Sequence, residues 1–370
     1  MGMKPLISIV MPVYNAAAYL EEAVRSVIAQ NGRDWALILV DDGSADGSGA
    51  LCDALAQGDE RISVIHMPEN VGLSGARNAG MAQADGKYLM FLDADDWIEA
   101  DLIERLEARI RREDAAQLLV WGVVEEHFHT DGQLMETRVV RCDEAAFEGR
   151  DAVRMAALDL ERKTLLGYAW NKLYDMDMLR ACGAAFEKVK LIEDILFNLD
   201  VIEQVERMET LDFTPYHYAR RASGSLTHGF LRDYYPLSLR RIRETLERYE
   251  KWGLGEAAGR TLAPVWARYT LSALQRNCDP QAGMRHADRV RFAKEALTSP
   301  LYRALAPYLG AGGGLSGIIE RLMKLKSAYL SVWMGRAVYL VNTKMNVLFT
   351  KLSGQGGVRH EAAEHRGTQL

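Results

Sequence analysis

Short apolar runs alternate with amphipathic segments through the first hundred residues. The apolar runs predict four buried strands, at residues 6–11, 36–40, 62–66 and 88–92. Between the first two, residues 16–28 carry apolar side chains at i, i+3 and i+4 spacing, which predicts a helix with Asn15 as its N-cap. Pro12 is expected to end the first strand. This alternation favours an α/β fold, with a mostly parallel sheet sandwiched by helices.

The pattern changes further along the chain. Strands and helices are mixed after residue 115, and helices dominate from residue 231. A run of glycines then predicts a linker, and the polar C-terminal tail is expected to be disordered. We therefore expect a domain at 1–230 with halves at 1–115 and 116–230, a helical region at 231–309, a linker at 310–314, a basic amphipathic helical segment at 315–351 and a tail at 352–370.

Composition excludes several classes of protein. The chain has 51 acidic and 45 basic residues, a net charge of −6, which excludes a general nucleic-acid binder. Its four cysteines are scattered without a Cys-x-x-Cys pair, which fits reduced thiols in the cytoplasm and excludes a zinc site built from cysteines. We predict no signal peptide and no membrane-spanning helix, because no uncharged apolar stretch approaches about 18 residues.

Polar residues follow three of the predicted strands. They are Tyr14 with Asn15, Asp41 with Asp42, and Asp93 with Asp95. Because ligands bind at the carboxyl ends of parallel strands, these clusters predict one ligand crevice. Turn and cap residues are the alternative interpretation, since aspartate, asparagine and glycine favour turns. Three clusters at one edge of a sheet favour the crevice.

Asp93 and Asp95 are predicted to bind a divalent metal. Two carboxylates at i and i+2 on an extended segment reach one small site, and Mg²⁺ or Mn²⁺ takes one or two carboxylates together with phosphate oxygens. The alternative is a helix N-cap, which would explain Asp96 or Asp101. It does not explain Asp93.

The residues around these clusters resemble family 2 glycosyltransferases, the inverting class with the GT-A fold. Four segments carry the resemblance: residues 7–15 (ISIVMPVYN), 40–47 (VDDGSADG), 70–80 (NVGLSGARNAG) and 91–96 (FLDADD). Residues 170–174 (WNKLY), 192–197 (IEDILF) and 216–221 (YHYARR) resemble the acceptor half of the capsule and cell-wall branch. The resemblance implies metal-dependent transfer of a hexosyl or N-acetylhexosaminyl group, from a UDP-sugar donor to a glycan or lipid-linked acceptor.

The resemblance also implies roles for individual residues. Asp42 would accept a hydrogen bond from the nucleobase, and Arg77 would lie near the base or the diphosphate. Asp93 would face the ribose or the donor sugar, and Asp95 would bind the metal. The nucleoside pocket would be lined by Pro12, Val13 and Tyr14.

Inverting transfer needs a base that takes the proton of the acceptor hydroxyl. Asp194 is the candidate base, with Glu193 as a supporting residue or a second candidate. The alternative for Asp194 and Glu193 is a structural one, because acidic side chains in the first turn of a helix interact favourably with the helix dipole. His217 is a candidate metal contact, and a structural histidine is the alternative. Arg221 is a candidate ligand of the donor phosphates, and an ordinary surface charge is the alternative.

Other enzyme classes fit the sequence less well. Residues 47–52 (GSGALC) lack the third glycine of a dinucleotide-binding turn and lie too far from the preceding strand. No phosphate-binding Gly-x-x-x-x-Gly-Lys-Ser/Thr loop occurs. Two alternatives remain open: a nucleotidyltransferase, and an inactive scaffold subunit of a polysaccharide assembly complex.

The segment at 318–351 carries six basic residues and one acid, among many aliphatic and aromatic side chains. It predicts contact with the inner face of the cell membrane, where a lipid-linked acceptor would be presented. A helical pair that packs on the catalytic domain or in a homodimer is the equal alternative. We expect a cytoplasmic protein, peripheral to that membrane.

Overall fold

The computed structural model describes residues 4–129, 131–221, 233–311 and 313–353, with side chains up to residue 341. The described residues up to 221 form one sheet of ten strands, with helices between them. The strands are β1 (Ile7–Val13), β2 (Trp35–Asp41), β3 (Ile62–His66), β4 (Tyr88–Phe91), β5 (Trp97–Ile98), β6 (Leu118–Phe128), β7 (Leu134–Val140), β8 (Ala145–Glu148), β9 (Lys172–Asp175) and β10 (Arg207–Arg221).

Helices flank the sheet and form the C-terminal part of the chain. Those up to residue 204 are α1 (Leu20–Ile28), α2 (Ser48–Gly58), α3 (Leu73–Gln83), α4 (Leu102–Ile110), α5 (Arg150–Arg162), α6 (Met176–Cys182) and α7 (Glu193–Gln204). The later helices are α8 (Tyr234–Lys251), α9 (Gly255–Arg276), α10 (His286–Thr298), α11 (Pro300–Leu305), α12 (Gly314–Lys324) and α13 (Ala328–Ser353).

The strands follow the order β3-β2-β1-β4-β9-β6-β10-β5, with β7 beside β6 and β8 beside β10. The first four pair in parallel, as the alternation of strands and helices predicts. β9 then runs antiparallel to both β4 and β6, whereas β6 and β10 are parallel. The carboxyl ends of β1, β2 and β4 therefore meet at one edge of the sheet.

Two local predictions are wrong. β1 continues through Pro12 to Val13. The carbonyls of Leu6 and Val10 accept hydrogen bonds from the chain at β4, so every second residue of β1 faces that strand. Pro12 also faces that side, but β4 ends at Phe91, so no β4 carbonyl there needs a donor from residue 12. The N-cap of α1 is Tyr19 and not Asn15. Asn15 instead has a positive φ of 49°, and its side-chain oxygen accepts the N–H of Ala45.

The chain divides into two compact units, Met1–Thr261 and Leu262–Leu370. The sequence placed a boundary near residue 230, but α8 lies in the first unit. In the second unit Trp266, Tyr302, Leu305 and Met323 are fully buried, and α10 packs on α13. Within the described ranges, no helix combines the length and the apolar character needed to cross a bilayer. The predicted disordered tail lies outside the described residues from 354 onward.

Candidate active site

Arg77 lies at the centre of a cluster of carboxylates. Its side chain projects from α3 and is only 1% exposed. Nη2 donates to Asp93 Oδ1 at 2.9 Å, and Nη1 donates to Asp194 Oδ1. Asp93 follows β4, and Asp194 is in the first turn of α7. One guanidinium thus joins two candidate site residues that are far apart in the sequence, and it does not point into solvent as a free phosphate-binding group would.

Asp194 is held from a second side by a loop. Its Oδ2 accepts the N–H of Ala169 at 3.1 Å, just before the Trp170–Tyr174 segment. Burial raises the pKa of Asp194 above its ordinary value, although the charge of Arg77 acts in the opposite direction. The two contacts fix the carboxylate at the carboxyl-end side of the sheet.

Glu193 lies beside Asp194 in a less satisfied environment. Burial, with the neighbouring Asp194 charge, raises the pKa of Glu193 to about 7. Its Oε2 is buried and finds no hydrogen-bond donor among the described residues. A buried carboxyl oxygen without a donor favours the protonated acid, which can itself donate. The pair therefore joins an anchored carboxylate to a readily protonated one.

Lys172 is a buried cation that the sequence interpretation left without a role. It is fully buried, and its ammonium donates to the carbonyls of Leu165 and Tyr168 and to Asn171 Oδ1. Burial lowers the pKa of Lys172 to about 7. These bonds hold the loop that presents the N–H of Ala169 to Asp194. A lysine within an apolar strand was the available signal in the sequence.

Asp95 lies at the mouth of the cluster, with its side chain 49% exposed. Desolvation, together with the nearby charge of Asp93, raises the pKa of Asp95 to about 6. Arg221 donates to the carbonyl of Asp95 at 2.6 Å and lies 3.7 Å from its carboxylate. The guanidinium of Arg221 also lies over the ring of Tyr19 at 3.9 Å. Arg221 is thus placed beside the predicted metal ligand.

Asp96 has a structural role other than the helix N-cap that the sequence suggested for it. It is 1% exposed, and its carboxylate accepts the hydroxyl of Tyr216 at 2.7 Å and the N–H of Ala219 at 2.8 Å. Burial raises its pKa well above the ordinary value. The Tyr216 hydroxyl in turn accepts the N–H of Asp93 at 3.2 Å. Asp96 therefore ties β10 to the Asp93 turn, and the N-cap of α4 is Asp101.

The residues predicted to bind the nucleoside lie at the ends of β1 and β2. Pro12 and Val13 are buried, whereas Tyr14 is 53% exposed. Asp42 is 2% exposed, and its two oxygens accept the N–H groups of Val71 and Gly72 at 2.7 and 2.8 Å. Asp42 therefore orders the turn that leads into α3 and Arg77.

His217 occupies an environment of its own. Its Nδ1 lies 2.8 Å from Glu126 and its Nε2 lies 2.8 Å from Glu99. Its ring stacks on Trp97 at 5.0 Å between centroids. Because both ring nitrogens already have carboxylate partners, this arrangement gives the predicted metal contact no support.

Aromatic rings lie beside the carboxylate cluster. Trp170 stacks between Tyr168 and Tyr216, with centroid distances of 4.3 and 4.0 Å, and Tyr218 tilts against it at 5.3 Å. Tyr168 and Tyr218 stay partly exposed. This stack fixes Tyr216 and presents apolar ring surface beside the carboxylates.

The described side chains do not form a complete metal site by themselves. No group of three or more histidine, cysteine, aspartate or glutamate side chains within the described ranges is arranged to hold an ion. Asp93 and Asp95 supply two hard oxygen donors, which suits Mg²⁺ or Mn²⁺ when phosphate oxygens complete the shell. The proximity of Asp93 raises the pKa of Asp95, and a cation would relieve that repulsion. The residues therefore fit a divalent ion that arrives with a diphosphate.

The sequence is similar to those of known glycosyltransferases. The profile of the family described as Glycosyl transferase family 2 matches residues 8–180. Bacillus subtilis EpsJ, described as an uncharacterized glycosyltransferase, is 32% identical over 232 residues, which cover 61% of this chain and 64% of EpsJ. Streptococcus pneumoniae glycosyltransferase GlyA is 33% identical over 230 residues, which cover 60% of this chain and 31% of GlyA. The chain thus spans less than two thirds of the length of either relative.

The fold is also similar to that of a solved protein. The crystal structure of S. aureus TarS 1-349 in complex with UDP-GlcNAc matches with a TM-score of 0.62 at 16% identity, covering 93% of this chain and 92% of that one. At this identity the likeness concerns the fold, and it confirms the GT-A architecture. Residues 8–180, just under half of the chain, match glycosyl transferase family 2, the family that the sequence motifs resemble.

Proposed function

We propose that the chain is an inverting glycosyltransferase that moves a sugar from a UDP-sugar to a hydroxyl group of a glycan acceptor. The observation that carries this proposal is the buried bridge from Arg77 to Asp93 and Asp194. It places the carboxylate of the donor motif and the candidate base on one cation. Single-displacement transfer needs this proximity, because the acceptor hydroxyl must approach the donor sugar while its proton leaves.

Asp194 is the proposed base, and its surroundings suit that role. A general base works best when its pKa lies near the working pH. Burial raises the pKa of Asp194, and the charge of Arg77 acts in the opposite direction. The N–H of Ala169 fixes its orientation, so its lone pairs are directed before an acceptor binds. Glu193, protonated in part at neutral pH, is the proposed donor of a hydrogen bond beside it.

The donor is proposed to lie along the carboxyl ends of β1, β2 and β4. Pro12, Val13 and Tyr14 would line the nucleoside pocket, with the buried Asp42 below the base. Arg221 is proposed to bind the diphosphate, because it lies beside Asp95 at the exposed mouth. Asp95, with Asp93, would hold a Mn²⁺ or Mg²⁺ ion, which when bound offsets the charge of the departing diphosphate.

The proposed substrates rest on similarity. TarS was crystallised with UDP-GlcNAc, which supports a UDP-linked hexose or N-acetylhexosamine as donor. Relatives named for teichuronic acid and succinoglycan biosynthesis support a glycan or lipid-linked acceptor in surface polysaccharide synthesis. A lipid-linked acceptor would be met at the inner face of the cell membrane.

The test is a donor screen in which release of the nucleotide is measured with UDP-, GDP- and TDP-sugars in the presence of Mn²⁺. We expect turnover with UDP-sugars, and loss of turnover in Asp194→Asn with unchanged UDP affinity. Asparagine keeps an oxygen for Arg77 but cannot accept the hydroxyl proton at neutral pH. Full turnover in this variant would exclude Asp194 as the base. A wild-type protein that neither binds nor turns over any donor would favour the inactive scaffold.

A further inference from the structure

The outer side of the last two described helices is apolar and basic. Between residues 314 and 341, several large apolar side chains are exposed, among them Leu325 at 67%, Tyr329 at 71% and Trp333 at 67%. Exposed apolar side chains that are grouped in one segment mark an interaction surface more often than isolated ones do. The remaining members of the group are Leu315, Ile318, Leu340 and Val341.

The exposed residues of α13 form one stripe. Tyr329, Trp333, Arg336 and Leu340 follow one another at spacings of four, three and four residues, and all four are exposed. This spacing keeps them on a single face of the helix. Ser331 and Met334 lie on the opposite side of the helix and are buried, at 1% and 6% exposure. The stripe, three apolar residues and one arginine, is therefore separate from the face that α13 uses for packing. We call these four residues the outer stripe.

The charges of this segment are sorted by exposure. Arg321, Lys324, Lys326 and Arg336 are all exposed. Glu320, the one acidic residue between positions 314 and 341, is 1% exposed, and it accepts the N–H of Gly310 at 2.8 Å. The surface that faces solvent in this segment thus combines aromatic and aliphatic side chains with uncompensated positive charge.

We propose that the outer stripe and its flanking basic residues bind the surface of an anionic lipid bilayer. Tyrosine and tryptophan favour the boundary between headgroups and acyl chains, and lysine and arginine are attracted to anionic headgroups. A second copy of the chain is disfavoured, because a two-fold contact would oppose four positive charges with the same four. A polyanion without acyl chains would leave the aromatic side chains in water. This binding does not rest on the proposed transferase activity.

The experiment measures co-sedimentation of the full chain with phosphatidylcholine vesicles, with and without phosphatidylglycerol. We expect binding only when phosphatidylglycerol is present. Tyr329→Ser with Trp333→Ser should lower the partition coefficient at least tenfold, as expected for loss of two interfacial aromatic rings. Lys324→Gln with Arg336→Gln should lower it roughly fivefold for each charge removed. The matched control is Leu134→Ser with Met135→Ser on β7, which removes two side chains of 53% and 55% exposure elsewhere.

Equal partitioning of the wild type and the outer-stripe variant would overturn the proposal. A second result would also overturn it: the wild type does not bind anionic vesicles but forms a dimer in sedimentation velocity, and the Tyr329→Ser, Trp333→Ser variant does not form that dimer. This result would assign the outer stripe to contact with a second copy of the chain. Thermal unfolding of each variant checks that the fold is kept. The assay contains no sugar nucleotide, so its failure and a failure of the transferase proposal are separate results.

Discussion

Replacement of Arg77 by methionine removes the cation that joins Asp93 and Asp194. Methionine keeps apolar bulk near the rings of Phe91 and Phe186, which lie 5.7 and 5.3 Å from the guanidinium carbon. Asp194 would retain only the N–H of Ala169 as a donor. Loss of one partner from a buried ion pair costs about 3–5 kcal/mol. Because the variant no longer desolvates a guanidinium, we expect a loss near the lower end, about 3 kcal/mol.

This loss should depend on pH. Without Arg77, the pKa of Asp194 rises further, because only the smaller effects of the Ala169 N–H and of Lys172 then oppose burial. A carboxyl group with a higher pKa in the folded state binds more protons there than in the unfolded chain, so stability falls as pH rises through that window. The gap between the variant and the wild type should therefore be greatest at neutral pH and should narrow as the pH falls.

Urea unfolding over a series of pH values measures this gap. The matched control is Arg248→Met, because Arg248 also bridges two carboxylates, Asp200 at 2.6 Å and Glu203 at 3.4 Å. Both of these acids are 44% exposed, so the control should lose about 1 kcal/mol or less. If Arg77→Met loses no more than the control, or loses the same amount at every pH, the reasoning about the buried bridge is refuted.

Three further variants test other parts of the cluster. Asp95→Ala should lose the extra thermal stabilisation that Mn²⁺ adds to UDP, and an undiminished Mn²⁺ effect would place the ion elsewhere. Folding raises the pKa of Glu193 from 4.5 to about 7, so the stability of the wild type should fall as the pH rises from 4.5 to 7, by at most about 3 kcal/mol. Glu193→Gln should flatten this dependence of stability on pH in urea unfolding. An unchanged dependence would assign it to other groups. Lys172→Met should lower kcat without changing KM for the donor, because it loosens the loop that presents Ala169 to Asp194; a change in KM alone would contradict this.

The sequence predicted which polar residues gather at the carboxyl ends of β1, β2 and β4, and the reason is topological. Parallel strands bring their carboxyl ends to one edge, so residues that follow β1, β2 and β4 are gathered without any knowledge of side-chain contacts. Asp95 shows this: its position after a buried strand was enough to place it at the mouth. The motif spacing then carried the family resemblance.

Contacts between distant elements were not predictable in the same way. The family resemblance placed Arg77 near the base or the diphosphate, but its partners are Asp93, which follows β4, and Asp194 on α7. Asp96 was a cap candidate because aspartate favours helix starts, whereas its carboxylate is used by Tyr216 on β10. These side-chain contacts depend on where β9 and β10 enter the sheet. The hydrophobic periodicity of the sequence does not predict the order of those strands.

A crystal structure with UDP and Mn²⁺ bound would show whether the edge of the sheet at Asp95 is the donor site. We expect an ion in contact with a carboxylate oxygen of Asp95 and with the diphosphate, at the mouth of the cluster that Arg77 organises. Nucleotide or ion bound away from Asp95, with this edge of the sheet empty, would contradict it.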